Sequence, residues 1–333
     1  MSENIIVSGM RPTGNLHLGN YFGALKNFVA LQEKETCFFF IADYHSLTTH
    51  PHPLDLKQKV KTILSQYLAC GLSYEKAIIY LQSQVPQVTE LYMFLNMNAY
   101  IGELQRVASF KEKVRQHPDN VNAGLLTYPT LMAADIIIHK ASHVPVGKDQ
   151  EQHLEMTRTF ARRFNSMYGN YFPEPVAYNF GEDLIKIPSL DGDGKMGKSK
   201  GDANAIFFID DAATLRKKIM KAKTDSGPTE PNSNKSESIS NLFTLLKLVS
   251  KPSIVADFET MYNDCTLRYG DLKQQLADDM EAFICPIRER ITEIQNDEPY
   301  LQKVLKAGEE KAVASAQKTM RDVREMIGFS NII

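Results

Sequence analysis

Apolar residues gather in short unbroken runs in the first third of the chain and spread into helical periodicity towards its end. Residues 4–8 (NIIVS) form a β-rich run that stops at Gly9. Residues 37–42 (CFFFIA) are continuously apolar, as expected of a strand covered on both faces. Residues 77–81 (AIIYL) predict a third strand. A helical pattern lies between each pair, over about 18–34 and over 53–70, the latter with Leu54, Val60, Ile63, Leu64 and Leu68 among its apolar positions. This alternation predicts an α/β fold with a parallel, doubly wound sheet. Further helical patterns fill about 87–115, 128–140 and 150–167. Residues 185–190 read as extended and 205–209 as another strand, while the polar stretch 227–236 (GPTEPNSNKS) reads as a linker or mobile loop. From about Ile239 onward every pattern is helical.

Composition narrows the classes. The 333 residues suffice for two domains or one large one, and 43% hydrophobic with 23% charged residues is ordinary for a chain that buries a core. A net charge of −2 gives no global basic field to attract nucleic acid, which leaves only local patches for that role. No apolar run approaches a membrane span, and MSENIIVSGM lacks the regions of a signal peptide, so a cytoplasmic protein with no membrane association is expected. Cys37, Cys70, Cys265 and Cys285 are scattered without C-x-x-C spacing and read as reduced thiols, not a disulfide framework or metal site. Tryptophan is absent.

Residues 192–199 read GDGKMGKS, a full match to the phosphate-binding pattern G-x-x-x-x-G-K-S. Such a loop needs a helix straight after it, because the helix N-terminus helps to hold the phosphates. Here KGDANAIFFID follows, a turn and then an apolar run, so the match fails on context. The stretch VSGMRPTGNLHLGNYFGAL fits better. It follows the first strand and leads into the first helix, where an α/β nucleotide site belongs. Gly9, Gly14 and Gly19 allow backbone to approach a ligand, and His17 and Asn20, three apart, share a first helical turn and are expected to point at the same anion.

Residues 13–20 (TGNLHLGN) resemble the HIGH motif of class I aminoacyl-tRNA synthetases, and residues 195–199 (KMGKS) resemble their KMSKS loop. Order and separation fit. Gly197 stands where the family usually has Ser, and that substitution created the false match above. The resemblance implies a Rossmann-type catalytic domain over 1–190, the KMSKS-like loop over 191–204 and a mainly helical domain over 205–333 that recognises the anticodon of transfer RNA. It implies attack of an amino-acid carboxylate on the α-phosphate of ATP, with pyrophosphate leaving. His17, Asn20, Lys195 and Lys198 are the expected catalytic set: the first two act from the helix side, and the lysines close over the leaving pyrophosphate. Arg11, Pro12, Thr13, Gly19, Asn20, Gly147, Lys148, Asp149, Ile187, Lys195, Met196, Gly197, Lys198 and Ser199 are the expected ATP contacts. Mg²⁺ would travel with ATP, held largely by phosphates and water, since no histidine–carboxylate cluster suggests a tightly bound metal.

The side-chain pocket is read from residues 128–135 (YPTLMAAD). Pro129 suits a first helical turn, and Tyr128, Met132 and Asp135 then share one face. Asp135 precedes three isoleucines, and a carboxylate in such company needs a donor. Two readings stand: a structural ion pair with His139 or Lys140, or a ligand contact, for which an indole N–H is a good candidate with Met132 against the ring. This segment, together with residues 144–150 (VPVGKDQ), His153, Glu155, Arg158 and 163–165, resembles the tryptophan-specific branch of the family; the tyrosine-specific branch usually carries Gln near Met132. By that resemblance Tyr128 and Gln150 would hold the amino and carboxyl end of L-tryptophan, and Val7, His45, Val144 and Val146 would shape the pocket.

The resemblance also implies a homodimer and tRNA(Trp) as the acceptor. The basic clusters Lys111, Lys113 and Arg115, and Arg216 to Lys218 with Lys221 and Lys223, suit phosphate contacts or solvated helix faces equally well. Rival readings are a tyrosine-specific synthetase, a small nucleotidylyltransferase and a synthetase-like protein without activity.

Overall fold

The structure is a computed structural model that describes residues 4–147, 151–178, 180, 186–197 and 201–329. Five strands, β1 (Ile5–Met10), β2 (Thr36–Ile41), β3 (Ile78–Leu81), β4 (His143–Val144) and β5 (Val176–Ala177), form one sheet in the order β3-β2-β1-β4-β5. All pairings are parallel, with Val7 opposite Phe38, Phe38 opposite Ile78 and Ile6 opposite His143. The chain order reverses between β1 and β4, so a crevice opens beyond their carboxyl ends, where open α/β sheets bind ligands.

The apolar run of β2 is unbroken because both its faces are covered. Cys37, Phe39 and Ile41 enter one core with Ile6, and Phe38, Phe40 and Ala42 enter a second core with Val7. The period of two in a strand makes this division automatic. After β1 comes helix α1, which runs through Leu18–Asn20, a π-type stretch Tyr21–Leu25 and Lys26–Leu31, ending three residues short of the expected boundary. Helix α2 (Pro53–Ala69) returns the chain to β3.

Three expectations change. The pattern over 87–115 is not continuous: α3 (Gln87–Met97) and α4 (Ala108–Gln116) are separated by the single turn Ile101–Leu104. The side chain of Arg163 holds the break, donating to the carbonyl of Asn98 and to the carboxylate of Glu103. Residues 205–209 are not a strand. The buried side chains of 205–208 mimic one, but the segment bridges only through Phe207 to His17, and Leu18 N–H donates to Ile206 O at 3.0 Å while Phe208 N–H donates to Leu16 O at 3.2 Å. Of the residues read as extended over 185–190, the described ones bridge only from Pro188 to Lys195, and Ile185 lies outside the described residues.

Helices α5 (Tyr128–Ile137) and α6 (Glu151–Tyr168) cover the second core. The later chain supplies α7 (Ala212–Met220), α8 (Glu237–Val249), α9 (Pro252–Asn263), α10 (Tyr269–Asn296) and α11 (Glu298–Ile327). Helix α11 crosses the edge of the sheet. Leu301 and Val304 enter the first core, and Ala312, Ala316, Met320 and Val323 enter the second. At the crossing stands Gly308, where a Cβ would lie 1.8 Å from the carbonyl oxygen of Ile79, so only glycine lets helix and edge strand approach this closely.

Candidate active site

A cavity of about 290 Å³ occupies the crevice beyond β1 and β4. Val7 and Gly9 of β1, Arg11, His45, Tyr128, Met132, Asp135, Val144, Val146 and Gly147 are among its lining residues. Sequence reading had grouped most of these from four separate segments, and the fold brings them to one place. Gly9 is required there, since a Cβ would lie 2.5 Å from the ring of Phe40. Lys148, Asp149 and Gln150 lie outside the described residues.

Asp135 sits at the buried end of this cavity, 2% exposed. Its partners are neither His139 nor Lys140. His45 Nε2 lies 2.8 Å from Oδ2, and Gln82 Nε2 donates to Oδ1 at 2.8 Å and to Oδ2 at 2.9 Å. Burial raises the Asp135 pKa above the ordinary carboxylate value, while His45 and Gln82 pull it back down. His139 serves the packing instead: its ring stacks on Phe38 with centroids 4.1 Å apart, its Nε2 meets Tyr80 Oη at 3.0 Å and its Nδ1 meets Ser315 Oγ of α11 at 3.0 Å. Burial depresses its pKa to about 3, so it is neutral.

Gln82 carries no sequence signal. It opens the polar stretch Gln82–Ser83–Gln84 directly after β3, and only the structure shows it fully buried against Asp135. Its orientation is fixed from behind. His45 N–H points at Gln82 Oε1 (3.4 Å), and the neighbouring Asp43 accepts from Ser83 N–H at 3.0 Å and from the Ser83 hydroxyl. The ends of β2 and β3 are thereby tied together.

The glycine-rich segment after β1 is equally ordered. His17 caps α1, with its Nδ1 accepting from Asn20 N–H at 3.3 Å while Asn20 Oδ1 accepts from His17 N–H at 3.2 Å. The two side chains are thus adjacent, but each spends one polar atom on this reciprocal cap. Gly19 brings the second motif close. A Cβ there would meet the His17 ring at 2.9 Å and the carbonyl oxygen of Met196 at 3.3 Å. Met196 anchors its loop: it is 3% exposed, its N–H donates to Ile187 O at 2.7 Å, and its sulfur accepts from Ile206 N–H at 3.5 Å. Ile187 is itself buried in the first core and does not line the cavity. Lys195 is exposed, Pro12 is buried, Thr13 is exposed, and Lys198 and Ser199 lie outside the described residues.

A second cavity of about 290 Å³ adjoins the first and shares Arg11 and Tyr128 with it. Lys113, Ser109, Thr48, Thr49, His117 and His153 line it as well. Ser109 and Lys113, four apart on α4, present one face to it. The Arg11 Nε is buried and has no hydrogen-bond partner among the described residues. Of the other basic cluster, Lys218 is committed to Asp210 and to the carbonyl of Ala205, and Arg216 to Asp278.

Comparison with known proteins shows the family. The family model for class I tRNA synthetases (W and Y) matches residues 1–284. The chain is 60% identical over 325 residues to the tryptophan–tRNA ligase of Porphyromonas gingivalis, covering 97% of this chain and 99% of that one. The tryptophanyl-tRNA synthetase of Campylobacter jejuni, crystallised with ADP and tryptophan, superposes with a TM-score of 0.88 at 35% identity, covering 97% of this chain and 99% of that one. The tyrosyl-tRNA synthetase of Aeropyrum pernix shares the fold alone, at 20% identity and a TM-score of 0.64 over 93% and 90% of the two chains.

Proposed function

The chain belongs to the class I tRNA synthetases for tryptophan and tyrosine, and we propose from that premise how its residues join tryptophan to transfer RNA. In the first step a carboxylate oxygen of L-tryptophan attacks the α-phosphorus of ATP. The bond to the β-phosphate bridging oxygen breaks, and pyrophosphate leaves with the negative charge. In the second, a hydroxyl of the terminal ribose of tRNA(Trp) attacks the carbonyl carbon, and AMP leaves.

The observation that carries the assignment of residues is the Asp135 carboxylate, buried at the end of an apolar cavity and held by two donors. An indole N–H is the donor that such a group selects, and Met132, Val7, Val144 and Val146 supply the apolar walls for the ring. Tyr128, with Gln150, is proposed to hold the amino and carboxyl end. Arg11 and Lys113 face the adjoining cavity, whose size and cationic lining suit the polyphosphate of ATP. His17 and Asn20 stabilise the reacting phosphate from the start of α1, and Lys195 and Lys198 approach the leaving pyrophosphate from the loop that Met196 anchors against Gly19. Pro12, Thr13, Gly147, Lys148, Asp149, Ile187, Gly197 and Ser199 are proposed around the nucleotide. No group of three His, Cys, Asp or Glu side chains able to hold a metal occurs among the described residues. Mg²⁺ is proposed to arrive with ATP, held on phosphate and water oxygens.

Residues 1–190 are proposed as the catalytic domain, 191–204 as the KMSKS-like loop and 205–333 as the part that reads the anticodon. A homodimer is proposed through α3 and the turn after it, where Met93, Met97, Tyr100 and Ile101 are 53%, 72%, 64% and 63% exposed. No helix among the described residues is long and apolar enough to cross a membrane, and a cytoplasmic location is proposed. Amino-acid-dependent ATP–pyrophosphate exchange, with tryptophan and tyrosine side by side, tests the assignment. Exchange with tryptophan alone is expected, and exchange with tyrosine overturns the pocket.

A further inference from the structure

We propose that Gln82 is a positioning residue that sets selectivity for the indole N–H, by holding the Asp135 carboxylate so that its Oδ1 presents one remaining acceptor site to the ligand. The inference rests on the reading of Asp135 given above and adds a residue to it.

The hydrogen-bond inventory is the argument. An ionised carboxylate offers about four acceptor sites, two on each oxygen. Oδ2 receives His45 Nε2 and Gln82 Nε2, which fills it. Among the described residues Oδ1 receives only Gln82 Nε2 at 2.8 Å, which leaves one site. The Gln82 amide has one orientation that serves this arrangement. Its oxygen faces His45 N–H, so its nitrogen faces the carboxylate. Gln82 is fully buried and has no solvent alternative. The Asp43–Ser83 tie fixes the turn that carries it. A carboxylate clamped on both oxygens cannot rotate to meet a differently placed donor. It also remains an acceptor, so a ligand lacking an N–H that fills the cavity leaves the last site of the buried Oδ1 unsatisfied.

The test compares tryptophan with β-(3-benzothienyl)alanine, which has sulfur in place of the indole N–H and nearly the same shape. The readout is the ratio of the two kcat/KM values in ATP–pyrophosphate exchange. Gln82→Met removes the donor and keeps the volume, and it should lower that ratio on the order of tenfold, chiefly through the KM for tryptophan. Gln82→Glu keeps the shape and replaces the donor by an acceptor. It should lower the ratio as well, and it provides the reading should Gln82→Met not fold. Asp135→Ala is the reference for the underlying reading. A ratio that collapses in Asp135→Ala and stays at the wild-type value in both Gln82 variants overturns the role of Gln82 alone. An unchanged ratio in Asp135→Ala overturns the indole reading, and this proposal with it. Equal losses for both amino acids in the Gln82 variants assign Gln82 to packing and also overturn the proposal.

Discussion

The Nε2 of His45 and the Oδ2 of Asp135 are 2.8 Å apart, and the two residues are 3% and 2% exposed. They come from opposite sides of the sheet crevice, ninety positions apart in the chain. A hydrogen-bonded pair this deeply buried is more consequential than any surface contact, because water cannot replace a lost partner.

Removing the carboxylate should therefore be felt in binding. Asp135→Ala is expected to raise the KM for tryptophan about tenfold to a hundredfold with a smaller change in kcat. Steady-state exchange kinetics at saturating ATP check this. An unchanged KM would place the indole elsewhere.

Burial raises the Asp135 pKa, so the folded state binds this proton more tightly than the unfolded chain does. The stability contributed by the group is therefore present at acid pH and falls as pH rises from the ordinary aspartate range through the raised folded value. Asp135→Asn lacks this titration. Its melting temperature should match or trail the wild type at the acid end and gain on it as pH increases, which thermal melts at several pH values measure. A constant difference across the range would contradict the raised pKa.

Catalysis by the second motif should separate from binding. Lys195→Ala is expected to lower kcat by about a hundredfold and to leave the KM for tryptophan within about twofold, as for loss of one group that acts on developing charge. Gly19→Ala should give the same pattern for a different reason. Its methyl would press on the His17 ring and on the Met196 carbonyl, and so displace the loop from the helix start. Stopped-flow or exchange assays at varied tryptophan distinguish these from pocket mutants.

Packing at the sheet edge gives the largest expected stability change. Gly308→Ala places a Cβ 1.8 Å from the Ile79 carbonyl, so helix α11 must move bodily. A loss of about 3 kcal/mol is expected, at the upper end for overpacking. Denaturant unfolding measures it, and a loss under about 1 kcal/mol would mean that the helix yields easily.

Self-association should respond to the exposed apolar side chains after β3. Met97→Glu, at a position 72% exposed, is expected to shift light-scattering mass towards the monomer without lowering the melting temperature of the monomer. No shift would remove α3 from the interface.

Much of the site was legible because its chemistry lies at the ends of strands that the apolar runs announce. The run 37–42 locates β2, and His45 follows it; the motif 13–20 follows β1. What remained hidden has physical reasons. Residues 205–208 bury their side chains as a strand would, but Ile206 and Phe208 bond through their backbones to Leu18 and Leu16 at the start of α1, a pairing that no local pattern encodes. The break between α3 and α4 depends on Arg163, sixty residues away from Glu103. Gln82 is invisible because burial of a glutamine is decided by its partners, here His45 and Asp135, and not by its neighbours in sequence. The second cavity escaped because, Arg11 and Tyr128 apart, its walls come from α4, α6 and the turns after β2 and α4, which share no motif.

The crossing of α11 over β3 bears on how the chain is made. Strand β3 is complete once residue 81 has been synthesised, yet the element that covers its edge spans Glu298–Ile327. For more than two hundred residues of translation, the edge of the nascent sheet is open to pairing with another chain. Closure waits for α11, made long after the sheet itself. Truncations that spare every site residue but remove this helix should therefore appear as loss of soluble protein during synthesis, before any defect in chemistry could be measured.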